Sequence, residues 1–497
     1  MTPDHLYVEI FIQPSRYKNT LLGWLIIAAL ALVRRLLEII MTKMRTTEQW
    51  QQLDTQRHLH PFTDFNDYAR KPGRIINRAE HIYIHDTDGN VLLDAMSGLW
   101  CCSLGYSQPT IAEAVSRQFS ELPYYNNFFQ CSNAPAVELA NRLVNITPEQ
   151  FTHVFFTSSG SEANDTNIRI VRRYWDLKEQ PKKRIILSRT NGYHGSTIAS
   201  ASLGGFEFVH KQFETLPYVE HIADPNWYCN GGELSPHEFG IQAARELEKR
   251  IDKLGAENVA AFIAEPVQGA GGVIVPPDSY WPEVSRILKE RDILFISDEV
   301  ICGFGRTGNL FGCQTYGTEP DLITFAKAVT NGFQPLGGVM VSDKVAQVIT
   351  SSGGEFGHGF TYSGHPIACS AALATLDIIE DQNMVSHVAD NVGPYLQNKW
   401  AALAEHPIVG HVRGVGMLGS IELVRNKETR ERLEPEQKSG GICREFCIAN
   451  GLVMRAVGDS MIISPPFVSS HEEIDLLIER ATKALDATAH HYQVKGS

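Results

Sequence analysis

A carboxylate and an amine follow two short apolar runs in the middle of the chain. Asp298 comes two residues after the run 293–296, and Lys327 comes two residues after the run 322–325. Such runs are typical of buried parallel strands, whose carboxyl ends meet at the ligand-binding edge of an open α/β sheet. An amine that bonds to an aldehyde and an acid that pairs with a pyridine nitrogen would suit a pyridoxal phosphate site. Two solvated surface groups are the alternative.

Two loops of small residues could bind a phosphate group. The first, at 157–164 (TSSGSEAN), lies between an apolar run and a helical pattern, where free backbone N–H groups and the helix dipole attract an anion. Ser159 and Ser161 can add hydroxyl donors on either side of Gly160. Ordinary serine capping of the helix is the alternative. The second loop, 359–366 (GFTYSGHP), either donates to phosphate or caps the helix that follows it.

An aromatic residue and a glycine-rich loop could pack against a planar ring. Tyr193 (in NGYHGS) follows the run 184–187, and a ring there can stack on a flat cofactor, although a half-buried loop tyrosine is the alternative. The neighbouring His194 is more typical of a structural histidine than of a catalyst. The loop that begins at Glu265 (EPVQGAGG) follows the run 259–264 and is too rich in glycine for a helix, so its backbone is expected close to another group.

The composition is that of an ordinary globular protein of more than one lobe. The chain has 497 residues, of which 43% are hydrophobic and 20% charged. Its net charge of −13 argues against a nucleic-acid surface, which needs clustered Lys and Arg. The nine cysteines follow no metal-binding spacing, so free thiols in a reducing cytoplasm are expected, with no metal centre.

Apolar runs that alternate with helical patterns predict the elements that would position these groups. Strands are expected at 154–157, 184–187, 259–264, 293–296 and 322–325, with helical patterns such as 239–254 and 281–289 between them. This alternation predicts an α/β fold with a mostly parallel sheet covered on both faces. Earlier in the chain, a hairpin is expected at 81–94 around Asp88 and Gly89.

The pattern predicts a second, smaller α+β domain in the last part of the chain. Helical patterns occur at 368–379, 385–404, 440–450 and 472–487, and short strands near 418–423 and 461–463. The predicted boundaries are therefore an N-terminal extension outside the fold at 1–40, an N-terminal segment of the small domain at 41–95, a large cofactor-binding domain at 96–365, and the C-terminal small domain at 366–497.

The N-terminal extension contains an apolar run, 21–33 (LLGWLIIAALALV). The run is shorter than the roughly 20 residues that a bilayer span needs, and its continuation to residue 40 would bury Arg34, Arg35 and Glu38. The leading interpretation is that the functional chain begins at Met41 or Met44. A membrane anchor, a signal sequence and an ordered helix stay open.

Taken together, the motifs resemble those of the class III pyridoxal phosphate-dependent aminotransferases, from about Thr47 to Ala487. The matching segments are SGSEAND, NGYHGST, AEPVQGAGGVIVPP, ISDEVICGFGRTG, AKAVTNGFQPLGG and HGFTYSGHP. The resemblance implies fold type I of the pyridoxal phosphate-dependent transferases, with a mostly parallel sheet in a large domain and a smaller α+β domain. It also implies a cytoplasmic enzyme, in which a membrane association is not expected.

The resemblance implies a role for each residue noted above. Lys327 would bond covalently to the cofactor and carry the transferred proton, and Asp298 would keep the pyridine nitrogen protonated. Tyr193 and Val300 would pack on the two faces of the ring. His194 and Glu265 are expected to complete the cofactor pocket.

The same resemblance implies how the phosphate is held. Ser159, Gly160 and Ser161 would bind the phosphate, and Thr361 would reach the phosphate of the neighbouring subunit. The implied assembly is a homodimer with shared active sites, and a tetramer stays open.

Within the family, the segments AMSGLWC, FFQ, MRAVGD and MIISPP resemble the amine–pyruvate branch, including its putrescine-specific members. Relatives that act on ornithine or 4-aminobutyrate carry a glutamate and an arginine that form a gate at the positions of Ala270 and Ile462. Many of them also place a glutamine at the position of Ile301. These departures make 4-aminobutyrate and 2-oxoglutarate unexpected as substrates.

The branch also implies the substrate-binding residues. Arg455 would bind the carboxylate of a keto acid, and Phe62, Trp100, Phe128 and Ala270 would line the pocket. The expected reaction is a ping-pong transfer from a primary amine, putrescine or another polyamine or ω-amino compound, to pyruvate, giving an aldehyde and alanine. A β-alanine or other ω-amino acid–pyruvate transaminase, a decarboxylating relative, and a non-catalytic or membrane-tethered cofactor-binding protein are the alternatives.

Overall fold

The computed structural model of the protein describes residues 28–29, 31–33, 35, 45–352 and 354–494. The interpretation of residues 1–40 therefore falls almost wholly outside the described residues. Within the described ranges, every helix is too short or too polar to traverse a lipid bilayer.

The chain forms two compact units. The first comprises the residues up to Arg78 together with His85–Asn90, and the second comprises Ala79–Ile84 and the chain from Val91 onward. Two helices belong to the first unit: α1 (Thr47–Arg57), which begins with a capping box at Thr46, and α2 (Phe65–Arg70), which Asp64 caps. The domain boundaries given above stay predictions.

Three short strands come next in the chain: β1 (Ile76–Glu80), β2 (Tyr83–Asp86) and β3 (Val91–Asp94). The strands β2 and β3 lie where the hairpin pattern predicts them. Gly89 has a φ of 86° in the turn, a conformation that glycine adopts without steric cost.

A seven-stranded sheet forms the centre of the second unit. Its strands are β4 (Phe151–Thr157), β5 (Ile185–Arg189), β6 (Val219–Ile222), β7 (Val259–Ala264), β8 (Leu294–Asp298), β9 (Leu322–Phe325) and β10 (Gly337–Ser342). The order across the sheet is β4-β10-β9-β8-β7-β5-β6, and only β10 runs antiparallel to its neighbours. The predicted mostly parallel sheet is therefore confirmed.

Helices cover both faces of this sheet. They are α3 (Ser97–Trp100), α4 (Pro109–Glu121), α5 (Ala134–Ile146), α6 (Gly160–Leu177), α7 (Ile198–Leu203), α8 (Glu207–His210), α9 (Trp227–Asn230), α10 (Pro236–Leu254), α11 (Tyr280–Glu290), α12 (Gly312–Thr315) and α13 (Asp343–Ser352). Short 3₁₀ turns occupy Ala256–Asn258 and Lys327–Thr330. Along β7, Ala261 and Ile263 pack into one apolar cluster while Phe262 and Ala264 pack into another, as expected of a strand buried on both faces.

The last part of the chain is the predicted mixture of helices and antiparallel strands. Its helices are α14 (Pro366–Asp381), α15 (Met384–His387), α16 (Gly393–Ala401), α17 (Ser439–Ala449) and α18 (His471–His491). Its strands are β11 (Val409–Val415), β12 (Leu418–Leu423), β13 (Leu452–Val453), β14 (Arg455–Val457) and β15 (Ser460–Ile463). An antiparallel sheet has the order β11-β12-β15-β14, and β13 pairs in parallel with β3.

Candidate active site

The carboxylate of Asp298, at the end of β8, lies at the centre of a buried polar network. Its side chain is almost fully inaccessible to solvent. One carboxylate oxygen accepts hydrogen bonds from Asn164 Nδ2 at 2.8 Å and from His194 Nδ1 at 2.7 Å. The other accepts the backbone N–H of Val300 at 3.2 Å. Three donors from three parts of the chain therefore fix the orientation of this carboxylate.

Asn164, inside α6, is the residue of this network that sequence reasoning missed. Its side-chain oxygen accepts hydrogen bonds from Thr324 Oγ1 at 2.8 Å and from Asn167 Nδ2 at 3.0 Å, and its amide also donates to the His194 carbonyl. The side-chain oxygen and the NH₂ group of Asn164 therefore both have hydrogen-bond partners, although the residue is completely buried. The available signal was two amides three residues apart, Asn164 and Asn167, on the inner face of a helix that follows the predicted phosphate loop.

The second acid at the end of β8 has a different task. Glu299 accepts the backbone N–H groups of Gly312 at 2.7 Å and Cys313 at 2.6 Å, and the Ser297 hydroxyl at 3.1 Å. Burial raises the pKa of Glu299 to about 7, while these donors oppose the shift. Glu299 therefore holds the start of α12, and Asp298 faces the polar network.

Lys327 begins the 3₁₀ turn that follows β9 and has a φ of 48°, which is unusual for a residue other than glycine. Burial lowers its pKa, and the charge of Arg455 lowers it further, whereas Cys101, Asp298 and Glu265 act in the opposite direction. A lowered pKa leaves more of the amine neutral, and the neutral amine is the form that attacks an aldehyde. The surroundings of Lys327 thus favour the neutral amine that a bond to an aldehyde requires.

The predicted phosphate loop forms the N-terminus of α6, a helix of 18 residues. Ser159 is its N-cap and accepts the N–H of Glu162 at 3.2 Å. A Cβ atom on Gly160 would lie 2.9 Å from Val300 Cγ2, so glycine permits the close approach of this turn to Val300. Ser161 Oγ accepts the N–H of Ser196 at 3.1 Å. These three residues suit an anion at the helix N-terminus, and their contact with phosphate stays a prediction.

Glu265 connects the two loops that follow β5 and β7. Its carboxylate accepts the backbone N–H of Tyr193 at 3.0 Å and that of Gly269 at 2.9 Å. The Tyr193 hydroxyl lies 3.0 Å from Ser196 Oγ. Burial raises the pKa of Glu265. The contacts assign Glu265 to positioning the backbone of Tyr193, and through Ser196 they connect Tyr193 with Ser161.

Trp100 lies beside two cationic groups. Its ring centroid is 5.5 Å from Lys327 Nζ and 5.0 Å from Arg455 Cζ. Burial lowers the pKa of Arg455. The indole Nε1 of Trp100 is buried and has no hydrogen-bond partner among the described residues. The predicted carboxylate-binding arginine and the predicted cofactor lysine therefore share one wall, and that wall carries an unused N–H donor.

The two positions that lack the gate residues belong to one apolar cluster. Ala270 and Ile462 are buried in it, and Ile301 also belongs to it. The remaining buried members are Met96, Trp100, Val267, Val273, Cys302 and Leu418. The buried side chains of this cluster carry no charge themselves, so the absence of both gate residues leaves no unpaired charge within it.

Three further predicted site residues are Phe128, Thr361 and Phe62. Phe128 helps to line a cavity of about 340 Å³ and contacts the backbone near Gly359. Thr361 is exposed, and its carbonyl accepts the hydroxyl of Tyr124 at 2.7 Å. Phe62 belongs to the first unit, where it is 65% exposed. The predicted roles of all three in binding stay predictions.

Comparison with known proteins gives a consistent result. A model of the aminotransferase class-III family matches residues 66–485. The chain is 54% identical over 444 residues to a putrescine–pyruvate aminotransferase of Pseudomonas aeruginosa, covering 89% of this chain and 97% of the relative. It is 43% identical to gamma aminobutyrate transaminase 3 of Solanum lycopersicum, covering 83% of this chain and 81% of the relative.

Solved structures agree with this match. The crystal structure of an omega transaminase from Pseudomonas jessenii in complex with PMP superposes with a TM-score of 0.88 at 38% identity, covering 90% of this chain and 99% of that chain. A thermostable (S)-enantioselective omega-transaminase from Thermomicrobium roseum superposes with a TM-score of 0.86 at 41% identity, covering 90% and 99%.

The apolar cluster predicts the effect of a charge at the gate position. Ala270→Glu should lower the midpoint of thermal unfolding, because it places a carboxylate among buried uncharged side chains, and a buried charge that lacks a partner costs on the order of 3–5 kcal/mol. The double variant Ala270→Glu/Ile462→Arg should recover part of the loss if the two new groups pair. Differential scanning calorimetry of the purified protein measures both changes.

The matched control is Ala112→Glu, which places the same side chain at an exposed position of α4. That variant should unfold within about 2 °C of the parent protein, since surface substitutions stay within ±0.5 kcal/mol. An equal drop in both single variants would contradict the apolar character assigned to the cluster.

Proposed function

Because the chain belongs to the class III aminotransferases, we propose that it transfers an amino group from a primary amine to pyruvate, with pyridoxal phosphate as its cofactor. The fold class agrees with fold type I of these transferases, as the superposition on omega-transaminases requires. Putrescine or a related polyamine or ω-amino compound is the proposed donor, and the 54% identical putrescine–pyruvate aminotransferase supports this choice. The observation that carries the proposal is the placement of Lys327 and Arg455 against one ring, Trp100.

The residues present fit the cofactor. The superposed omega transaminase in complex with PMP supports a bound group of this type. We propose that Ser159, Gly160 and Ser161 hold its phosphate at the N-terminus of α6. When bound, pyridoxal phosphate supplies an aldehyde that takes up the amino group and a ring that withdraws electrons.

The described contacts support distinct tasks for Asp298 and Lys327. Asp298 would face the ring nitrogen and keep a proton on it, and its hydrogen bonds with Asn164 and His194 fix the carboxylate for that task. Lys327 would hold the cofactor covalently, since its pKa is lowered and a neutral amine is available. When the donor amine takes its place, the Lys327 amine would be free to move the proton between the substrate carbon and the cofactor.

The two half-reactions place opposite demands on one pocket. Pyruvate brings a carboxylate, which Arg455 would bind through two parallel N–H donors. The donor amine brings a methylene chain, which suits the apolar cluster of Ala270, Ile301 and Ile462. Arg455 would turn aside when the donor enters, because an amine without a carboxylate offers the guanidinium no partner.

We further propose that the protein is a cytoplasmic homodimer, and whether two dimers pair into a tetramer stays open. The large side chains of Tyr124, Tyr125, Phe129 and Tyr362 are exposed, Phe129 by 90%. Tyr124 and Tyr362 pack edge to face with ring centroids 5.8 Å apart, next to Thr361. An exposed aromatic patch of this kind is typical of an interface, and a partner subunit would receive Thr361 at its phosphate site.

A second donor class also has support. The matched gamma aminobutyrate transaminases act on a donor that carries its own carboxylate, so a β-alanine or another ω-amino acid with pyruvate is the alternative.

A panel of donors and acceptors tests the function. Putrescine with pyruvate should yield alanine at a rate at least ~10-fold above the rate at which 2-oxoglutarate yields glutamate, because the pocket lacks the paired gate. Quantitative amino-acid analysis of both products gives the ratio. Faster glutamate formation would overturn the assigned acceptor, and faster turnover of β-alanine than of putrescine would favour the second donor class.

Covalent trapping tests the role of Lys327. Borohydride reduction of the holoenzyme followed by peptide mass spectrometry should place the cofactor on Lys327, and Lys327→Ala should have neither the label nor turnover. The control is Lys344→Ala, at a half-exposed lysine paired with Asp321, which should keep both. A label on a different lysine of the parent protein would remove Lys327 from this role.

Steady-state kinetics test Arg455. Arg455→Ala should raise KM for pyruvate by roughly 10- to 100-fold and change KM for putrescine much less, since a charged hydrogen bond contributes about 1.5–3 kcal/mol. Arg455→Lys keeps the positive charge but cannot form two parallel hydrogen bonds, so its KM for pyruvate should lie between those of the parent protein and Arg455→Ala. Arg444→Ala, at a half-exposed arginine, is the control. Equal effects on both substrates would count against carboxylate binding by Arg455.

A further inference from the structure

Two histidines and one aspartate converge at the end of α1, in the first unit. Asp54 Oδ1 lies 3.2 Å from His58 Nδ1, and Asp54 Oδ2 lies 2.8 Å from His60 Nε2. The rings of His58 and His60 are 4.0 Å apart between centroids. One ligand atom from each of the three side chains lies within 4.8 Å of the others.

The local backbone explains the convergence. Asp54 lies in the last turn of α1, and His58 is its C-cap, with its backbone N–H bonded to the Asp54 carbonyl at 2.9 Å. His58 contacts Asp54 through Nδ1, the ring nitrogen nearer to its own backbone. His60 follows in the loop and reaches back with its far nitrogen, Nε2. The cluster contains no cysteine, so cysteine spacing in the sequence does not reveal it.

The donor set has the composition of a transition-metal site. Two imidazoles and a carboxylate are ligands that zinc and its neighbours prefer, and three protein ligands with water in the fourth position are common for zinc. Bonds of about 2.0–2.2 Å in a tetrahedral centre place the ligand atoms roughly 3.3–3.6 Å apart. His58 and His60 contact different oxygens of Asp54, at 3.2 and 2.8 Å, and one ligand atom of each side chain lies within 4.8 Å of the others. Binding through a single carboxylate oxygen therefore needs a local rearrangement of these side chains.

We propose that Asp54, His58 and His60 bind a divalent transition metal ion, with zinc as the favoured ion. The ion would take the place of the hydrogen bonds between the two imidazoles and the carboxylate, and each imidazole would bind it through a ring nitrogen that carries no proton. The partial exposure of the cluster leaves a coordination position for water, with side-chain exposures of 61% for His58 and 16% for Asp54.

Tyr68, on α2, supplies the outer support that such a site needs. Its hydroxyl donates to Asp54 Oδ2, and its ring lies 4.7 Å from the His60 ring between centroids. A Cβ atom on Gly73 would lie 2.5 Å from the Tyr68 hydroxyl, so glycine at this position leaves room for the tyrosine. The ion would thereby connect α1, the following loop and α2.

Metal content tests the proposal directly. The full-length holoenzyme is purified without a polyhistidine tag, stripped with a chelator, incubated with Zn²⁺ and dialysed, and zinc per chain is measured by inductively coupled plasma mass spectrometry. The parent protein and the control His237→Ala, at an exposed histidine of α10, should retain one more zinc ion per chain than His60→Ala. Equal zinc in His60→Ala and the control would overturn the site.

Tyr68→Phe keeps all three metal ligands, so it tests the site without the risk that a missing ligand disturbs the local fold. It should weaken Zn²⁺ affinity by about 10- to 100-fold in calorimetric titration, as the loss of an outer hydrogen bond to a metal ligand does. Titration with Co²⁺ should give an intense visible absorption in the parent protein that His58→Ala lacks. Unchanged affinity in Tyr68→Phe together with an unchanged cobalt spectrum in His58→Ala would refute the assignment.

Discussion

The structure depends on the hydrogen bonds that surround one buried carboxylate, that of Asp298. An isolated buried charge is costly unless hydrogen bonds replace its hydration. Around Asp298 the replacements come from Asn164, His194 and the N–H of Val300, which belong to α6, the loop after β5 and the chain after β8. A parallel sheet brings these segments to one edge because successive strands end there. The fold and the polar network thus impose the same arrangement.

The apolar cluster explains how the same family can change its acceptor without changing its chemistry. A paired glutamate and arginine can be removed together at little cost, whereas removing either alone leaves a buried charge. Ala270 and Ile462 are both apolar, and both lie in the cluster that contains Trp100. Arg455, the proposed partner of the keto-acid carboxylate, lies beside that ring. In this proposal, the choice of acceptor depends both on the missing charges at positions 270 and 462 and on the charge of Arg455.

The sequence predicted site residues best where their position relative to a strand was clear. Asp298 ends β8 and Lys327 follows β9, so the edge of the sheet at which they lie could be predicted from the strand pattern alone. Asn164 was missed, because the pair of amides that it forms with Asn167 becomes distinctive only when the hydrogen-bond partners of both residues are known. The strand β10 was also missed, since two of its six residues are the glycines 337 and 338 and it runs against its neighbours. The predicted helix at 385–404 is divided by a π-helical stretch, Val388–Val392, which apolar spacing does not reveal.

Trp100 shows why residue roles and not only residue types must be read from the structure. Its φ of 61° and that of Ser97, 49°, are left-handed conformations that cost of order 1–3 kcal/mol each in residues other than glycine. Its buried indole N–H has no partner among the described residues, which costs about 1–3 kcal/mol more. Both costs fall on a residue whose ring lies beside Lys327 and Arg455, and local strain of this kind is typical of functional sites.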